Sequence, residues 1–181
     1  INSGDGGKII VWADDSAIIH GSISATGGAQ SGNGGFVETS GKNSLVVTTA
    51  PDVSAKNGKA GTWLLDPTNI EIVSGPGNGD GSQVSVTTIE TALNAGTSVH
   101  IITSGQGLEE GTITVSTAIV KSSGGDTSLT LTAHGDIIVN QSITSTNGAL
   151  AVNLISGADI FINAAIVTNG GNLLADAGST N

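Results

Sequence analysis

The sequence predicts an all-β protein: a parallel β-helix with coils of about 23 residues and one short accessory helix near 88–94. Three observations predict it. The composition suits short strands and tight turns, the second half nearly repeats itself, and a single stretch carries helix signals.

At 181 residues the chain fits one domain with a coherent core. Aromatic residues are only 2%, so that core must come from many small aliphatic side chains. The 28 glycines show no three-residue period, which excludes collagen, and 37% apolar residues argue against disorder. Val, Ile and Thr interrupted by Gly, Asn and Asp indicate short strands joined at tight corners.

A shift of 23 residues places Leu129 on Val152, Leu131 on Leu154, Asp136 on Asp159 and Ile137 on Ile160. It also places Val139 on Ile162, Asn140 on Asn163, Ile143 on Ile166 and Gly148 on Gly171. A shorter copy, GTITVSTAIVKSSGG, matches Val115 and Ile119 to Val139 and Ile143 at a shift of 24. Apolar residues alternate with small polar ones in each copy, the pattern of a half-buried strand. A unit this short cannot bury its apolar face alone, whereas stacked copies can. An antiparallel sandwich would not demand the same residue type at the same corner every 23 positions. The reading is therefore six or seven stacked coils. Ile137, Val139, Ile143, Ile160, Ile162 and Ile166 point inward in columns, and Asn140 and Asn163 form a corner ladder.

The first half follows the same grammar with looser spacing. KIIVWADDSAIIHGSISATGG and FVETSGKNSLVVTTAPDVSAKNG both read as strand, turn, strand, turn, short strand. Ile18 aligns with Leu45 at 27 residues and Ile23 with Val53 at 30. Between the halves, SGPGNGDGS (74 to 82) reads as a loop, and VTTIETALNAG follows it. Thr87-x-x-Glu90 has capping-box spacing and Gly96 stands where a helix C-cap belongs. The short helix this predicts would lie on the solenoid or plug one end, with Ile89 and Leu93 facing the body. The division is 1–73, 74–111 as a linker-like insertion carrying the helix, and 112–181 as stalk-like repeats.

Five lysines and no arginine stand against fifteen acidic residues, a formal charge of −10. Nucleic acid, acidic polysaccharide and anionic membrane are thereby poor partners. Without cysteine there is no disulfide framework or thiol chemistry. No signal peptide is recognisable and no apolar run reaches the roughly 18 residues of a membrane span. The expectation is a chain that starts inside something larger.

Candidate chemistry is sparse, and no catalytic, cofactor-binding or metal-ligating residue is assigned. His20, His100 and His134 lack ligand or triad spacing. The pairs Asp14–Asp15 and Glu109–Glu110 place neighbours on opposite faces of a strand and read as exposed charge. GNGDGS suggests a calcium turn through Asp80, but the nonapeptide repeat of such sites is absent. Asn140-Gln141-Ser142 is a glycosylation sequon, read here as a structural corner. A polysaccharide-active enzyme on the same fold would need clustered carboxylates and a base to hold an acidic sugar, and fold alone does not license it. The expectation is a protein that is not an enzyme.

Three strings in order, GGKIIVWADDSAIIHGSISA, GGFVETSG and GTWLLDPTNIEI, cover roughly residues 8 to 73. Together they resemble the haemagglutination-activity region of two-partner-secretion exoproteins, the filamentous-haemagglutinin and HMW-type adhesins of Gram-negative bacteria. The resemblance implies a right-handed β-helix exported through an outer-membrane partner transporter and displayed or released at the cell surface. The implied partners are that transporter and a host or neighbouring cell surface. The chain contains no Asn-Pro, whereas the family's secretion module usually carries Asn-Pro-Asn motifs. This fits the end of that module and the start of the stalk, or a stalk repeat. Physically, Trp63, Leu64 and Leu65 read as one coil's strand packed into the core or on an accessory element. Pro67 halts its pairing, and Gly34 and Gly35 permit a close approach before Phe36. The alternative is a subunit of an extracellular filament or sheath whose open rungs stack end to end.

Overall fold

A computed structural model describes residues 2–76, 82–105 and 110–178. The chain is a parallel β-helix of about seven coils. The first coil contributes β1 (Lys8–Ala13) and β2 (Ser16–Ile19), and the second β3 (Phe36–Gly41) and β4 (Ser44–Val47). The third holds β5 (Thr62–Leu65), β6 (Ile70–Val73), β7 (Gln83–Ser85) and α1 (Val86–Asn94). Three-stranded coils follow: β8 (Ser98–Ile102), β9 (Ile113–Val115) and β10 (Ile119–Lys121), then β11 (Thr127–Ala133), β12 (Ile137–Val139) and β13 (Ile143–Ser145). The next is β14 (Leu150–Ser156), β15 (Ile160–Ile162) and β16 (Ile166–Val167), and β17 (Leu173–Ala177) opens a last turn.

One face of the solenoid is a single seven-stranded sheet, β1-β3-β5-β8-β11-β14-β17, which runs without a break through the 74–111 segment by way of β8. The second face is β2-β4 followed by β7-β6-β9-β12-β15, and the third is β10-β13-β16. All the strand pairings among the described residues are parallel.

Alternation makes the core. In β11, TSLTLTA buries Thr127, Leu129, Leu131 and Ala133 and leaves the residues between them partly open. Register then stacks like on like: Val37, Trp63, Val99, Leu129 and Val152 form one inner column. Ile70, Ile113, Ile137 and Ile160 form another. Each fully buried aliphatic contributes on the order of 1.5–3 kcal/mol. Trp63 sits wholly inside, and its indole Nε1 donates to Thr39 Oγ1 at 2.9 Å, so the polar edge of the ring is satisfied in the core. Gly34 answers a packing demand: a Cβ there would lie 1.8 Å from Val53 O and 2.4 Å from Gly61 N. Any other residue would push the corner open.

The repeat of the second half is observed at the expected spacing. Leu129 pairs with Val152, Ile137 with Ile160 and Ile143 with Ile166, and the earlier copy pairs Val115 with Val139 and Ile119 with Ile143. Asn163 Nδ2 donates to Asn140 Oδ1 at 2.9 Å, completing the corner ladder. After β16 the register contracts, because Val152 pairs with Leu173, so the alignment of Gly148 with Gly171 does not hold.

One expectation about packing is corrected, and one is refined at the last coil. The first coils are regular, not loose: Lys8 pairs with Phe36, Ser16 with Ser44 and Ser24 with Asp52, each 28 residues on. Leu45 therefore stacks on Ala17, and Ile18 pairs with Val46 and is 66% exposed. Ser24 and Asp52, not Ile23 and Val53, form the bridge that represents the third face here. The expected columns form, with Ile160, Ile162 and Ile166 in register on Ile137, Val139 and Ile143, but the latter three are fully buried whereas Ile160 and Ile166 are only partly so and Ile162 is 45% exposed. These three lie in β15 and β16, over which no further described strand stacks.

The helix is longer than 88–94 and neither lies on the solenoid nor plugs it. It forms part of the wall, packed beside β10 and β8, with Ile89 and Leu93 fully buried. No capping box forms: Ser85 is the N-cap, makes no side-chain cap bond, and Thr87 is already inside the helix. The C-terminal signal holds. Gly96 adopts φ +83, with Gly96 N–H bonded to Leu93 O at 3.2 Å and Thr97 N–H to Ala92 O at 2.9 Å. Before the helix, β7 pairs with β6 on the side away from β9 and approaches β4, filling the second face between the two sheets.

Candidate functional site

The histidines are dispersed along the solenoid and each has a local partner. His20 Nδ1 is 2.9 Å from Thr48 Oγ1, and His134 Nδ1 is 3.3 Å from Glu110 O. His100 Nε2 is 3.1 Å from Thr132 Oγ1 on the outer face of the long sheet, where partial burial lowers the imidazole pKa. Asp15 is exposed and accepts from Asn43 Nδ2 at 2.8 Å. Asp80, with residues 77–81, and Glu109 lie outside the described residues. Among the described residues no group of three His, Asp or Glu side chains converges as a metal site.

Two sites are invisible in the linear sequence. The first is Lys121, the last residue of β10, fully buried where the corner begins. Its ammonium donates to Asn147 O at 2.6 Å, Ser123 O at 2.8 Å and Gly124 O at 3.4 Å. Burial lowers its pKa, and the Asp126 charge opposes that shift. One coil on, Ser145 takes the register position of Lys121 and bonds Gly148 O at 2.8 Å. Carbonyls turned into the corner thus find a donor at both levels, which is a structural role.

The second is a cleft of about 200 Å³ where the corners after β1, β3 and β5 meet. Trp12, Asp14, Lys42, Asp66, Pro67, Thr68 and Ser104 line it. Register explains the grouping. Trp12 pairs with Ser40, and Asp66 follows one step past the pairing of Thr39 with Leu65. Asp14, Lys42 and Thr68 occupy the next equivalent positions, tied by Lys42 N–H to Ala13 O at 3.2 Å and Thr68 Oγ1 to Lys42 O at 2.5 Å. Trp12 is 57% exposed, in a chain with only two tryptophans. The Asp66 carboxyl is held above the usual carboxylate range, first by burial and then by the Glu38 charge. Glu38 itself accepts from Ser40 Oγ at 3.1 Å. Among the described residues neither Asp66 nor Lys42 has a side-chain hydrogen bond or ion pair.

No protein-family model matches the chain, and no curated protein matches it.

Proposed function

We propose that the chain is a module of a large secreted or surface-displayed bacterial adhesin, exported by two-partner secretion, that serves as stalk and cell-adhesion scaffold. The observation that carries the reading is the placement of the three strings that resemble the haemagglutinin-type adhesins. They form β1, β3 and β5, successive strands of one continuous sheet that extends to β17. A solenoid of this kind adds about 4.8 Å of length per coil, each coil bonded mainly to its neighbours, so it is suited to projecting a surface away from a cell. The partners are an outer-membrane transporter during export and a host or neighbouring cell surface afterwards. A non-catalytic role is part of this proposal.

A second reading, a self-assembling subunit of an extracellular filament or sheath, draws on a different observation. Phe161, Ile162, Val167, Leu173 and Leu174 are each between 45% and 51% exposed and cluster in the last coils, beside strand edges with no described partner. Size-exclusion chromatography with electron microscopy separates the two. Discrete monomeric rods about 34 Å long, seven rungs at the inter-strand spacing, support the stalk. Regular fibres growing from purified chain support the filament.

A further inference from the structure

We propose that the cleft formed by Trp12, Asp14, Lys42, Asp66 and Thr68 is a binding site for an alkylammonium group, carried by a small amine or by a lysine side chain. The proposal is independent of the stalk reading, because it rests on the local geometry of three stacked corners.

The cleft joins features that seldom occur together by packing alone. A large indole is left 57% exposed although the chain is poor in aromatics. Asp14 follows Trp12 in the same corner, and the half-buried Asp66, two coils on, lines the same cavity with no described partner. The nearest positive charge in the lining is Lys42, which forms no ion pair with either carboxylate among the described residues. An aromatic surface next to unpaired carboxylates is the combination that attracts an organic cation: the π-system draws the positive charge, and the carboxylates neutralise it. The burial that raises the Asp66 pKa is a cost that an incoming cation would relieve. A metal ion fits less well, since no three carboxylates converge here among the described residues. An anionic ligand would face Asp14, Asp66 and the nearby Glu38 against one lysine. The volume, about 200 Å³, admits a trimethylammonium or aminobutyl group but not a folded domain.

Two of the three strings reach the cleft directly, through Trp12 and Asp14 at the end of β1 and through Asp66, Pro67 and Thr68 after β5, while Lys42 enters it one residue past the second string. Core packing explains Trp63 and the glycines, but it does not explain an exposed Trp12 that lines one cleft with an unpaired Asp66.

The test is titration of the whole chain, at low ionic strength and neutral pH, with choline chloride and separately with Nα-acetyl-lysine amide. The controls are 3,3-dimethyl-1-butanol, which has the shape of choline without the charge, and calcium chloride. Tryptophan fluorescence and calorimetry report binding. The expected result is a saturable change with one or both ammonium compounds and none with the neutral alcohol at equal concentration. Trp12→Leu should weaken calorimetric binding by about 3- to 30-fold, and Asp66→Asn by about fivefold. The fluorescence of buried Trp63 verifies that both variants stay folded. A choline response alone identifies a small amine as the natural occupant, and a lysine-amide response alone identifies a protein side chain. Equal response to the neutral alcohol, saturation by calcium alone, no response to either amine, or unchanged affinity in both variants would overturn the proposal.

Discussion

The Glu90 carboxylate of α1 accepts the backbone N–H of Val120 at 2.7 Å, in the middle of β10. One turn on, Asn94 Oδ1 accepts from both Ser122 and Ser123, at 2.8 and 3.0 Å. The outer strand of the three-stranded sheet therefore meets helix side chains where the other coils would supply a strand. Edges left bare invite pairing with another chain, and α1 closes this one without extending the sheet.

Removing those acceptors should cost stability in proportion to the bonds lost. Glu90→Ala is expected to cost about 0.5–1.5 kcal/mol. Asn94→Ala, which abandons two donors, should cost more. The double variant should also associate, since the edge of β10 is then uncovered. Urea denaturation ranks the three variants, and light scattering reports association. A double variant that stays monomeric and as stable as the parent would show that the contacts are incidental.

The core columns set a second ranking. Ile137→Ala empties a fully buried site between Ile113 and Ile160 and should cost roughly 2–5 kcal/mol. Ile160→Ala, at a partly open site, should cost less. Thr146→Ala, at an exposed corner, should cost least. Chemical denaturation of the three variants checks the order, and equal losses would contradict the inward register.

Lys121 should behave as a structural donor. Lys121→Met keeps the length of the side chain but leaves the carbonyls of Ser123 and Asn147 without their ammonium partner. A loss of about 1–3 kcal/mol follows from those unsatisfied acceptors. A stability unchanged within a few tenths would mean that water replaces the ammonium fully.

Asp66 carries a pH dependence of defined sign. Its folded-state pKa is raised, so the protonated form is the one the fold prefers. The contribution of Asp66 to stability is full below the unfolded carboxylate pKa and is lost as the pH rises through the raised folded value. Asp66→Asn should therefore raise the thermal midpoint at neutral pH, and its advantage should shrink as the solution is acidified. Thermal unfolding across pH 3 to 7 tests this. A variant less stable than the parent at neutral pH would show that the carboxylate has a stabilising partner.

How much of this was legible in the linear chain depends on the element. The second half was readable because Leu129, Ile137 and Ile143 return as Val152, Ile160 and Ile166 at one spacing. The first half misled because Ile18 and Leu45 look alike, whereas the true partner of Leu45 is the small Ala17. The helix was visible from its periodicity and from Gly96. Its start was not, because the capping-box spacing of Thr87 and Glu90 is the same whether Glu90 turns back to the helix or reaches across to Val120. The exposure of Ile162 depends on what stacks above it, which alternation does not encode. Lys121 reads as an ordinary surface lysine until its corner closes around it. The cleft is the extreme case: Trp12, Lys42 and Asp66 belong to three different coils, and only the 28-residue register brings the first two levels together.

The stacked register is the claim on which the core, the edge and the cleft all depend, and the absence of cysteine makes it directly measurable. Outward-facing register partners can be replaced in pairs: Ile18→Cys with Val46→Cys, and Thr130→Cys with Asn153→Cys. An off-register pair, Thr130→Cys with Ile155→Cys, serves as the control. Disulfides require Cα atoms within about 4.4–6.8 Å, a distance that adjacent in-register residues meet and a two-residue slip exceeds. Mild oxidation of dilute protein, followed by mass spectrometry of linked peptides, should show intramolecular bonds in the two register pairs and little in the control. Linkage of the control pair as fast as the register pairs, or none in the register pairs, would contradict the coil architecture.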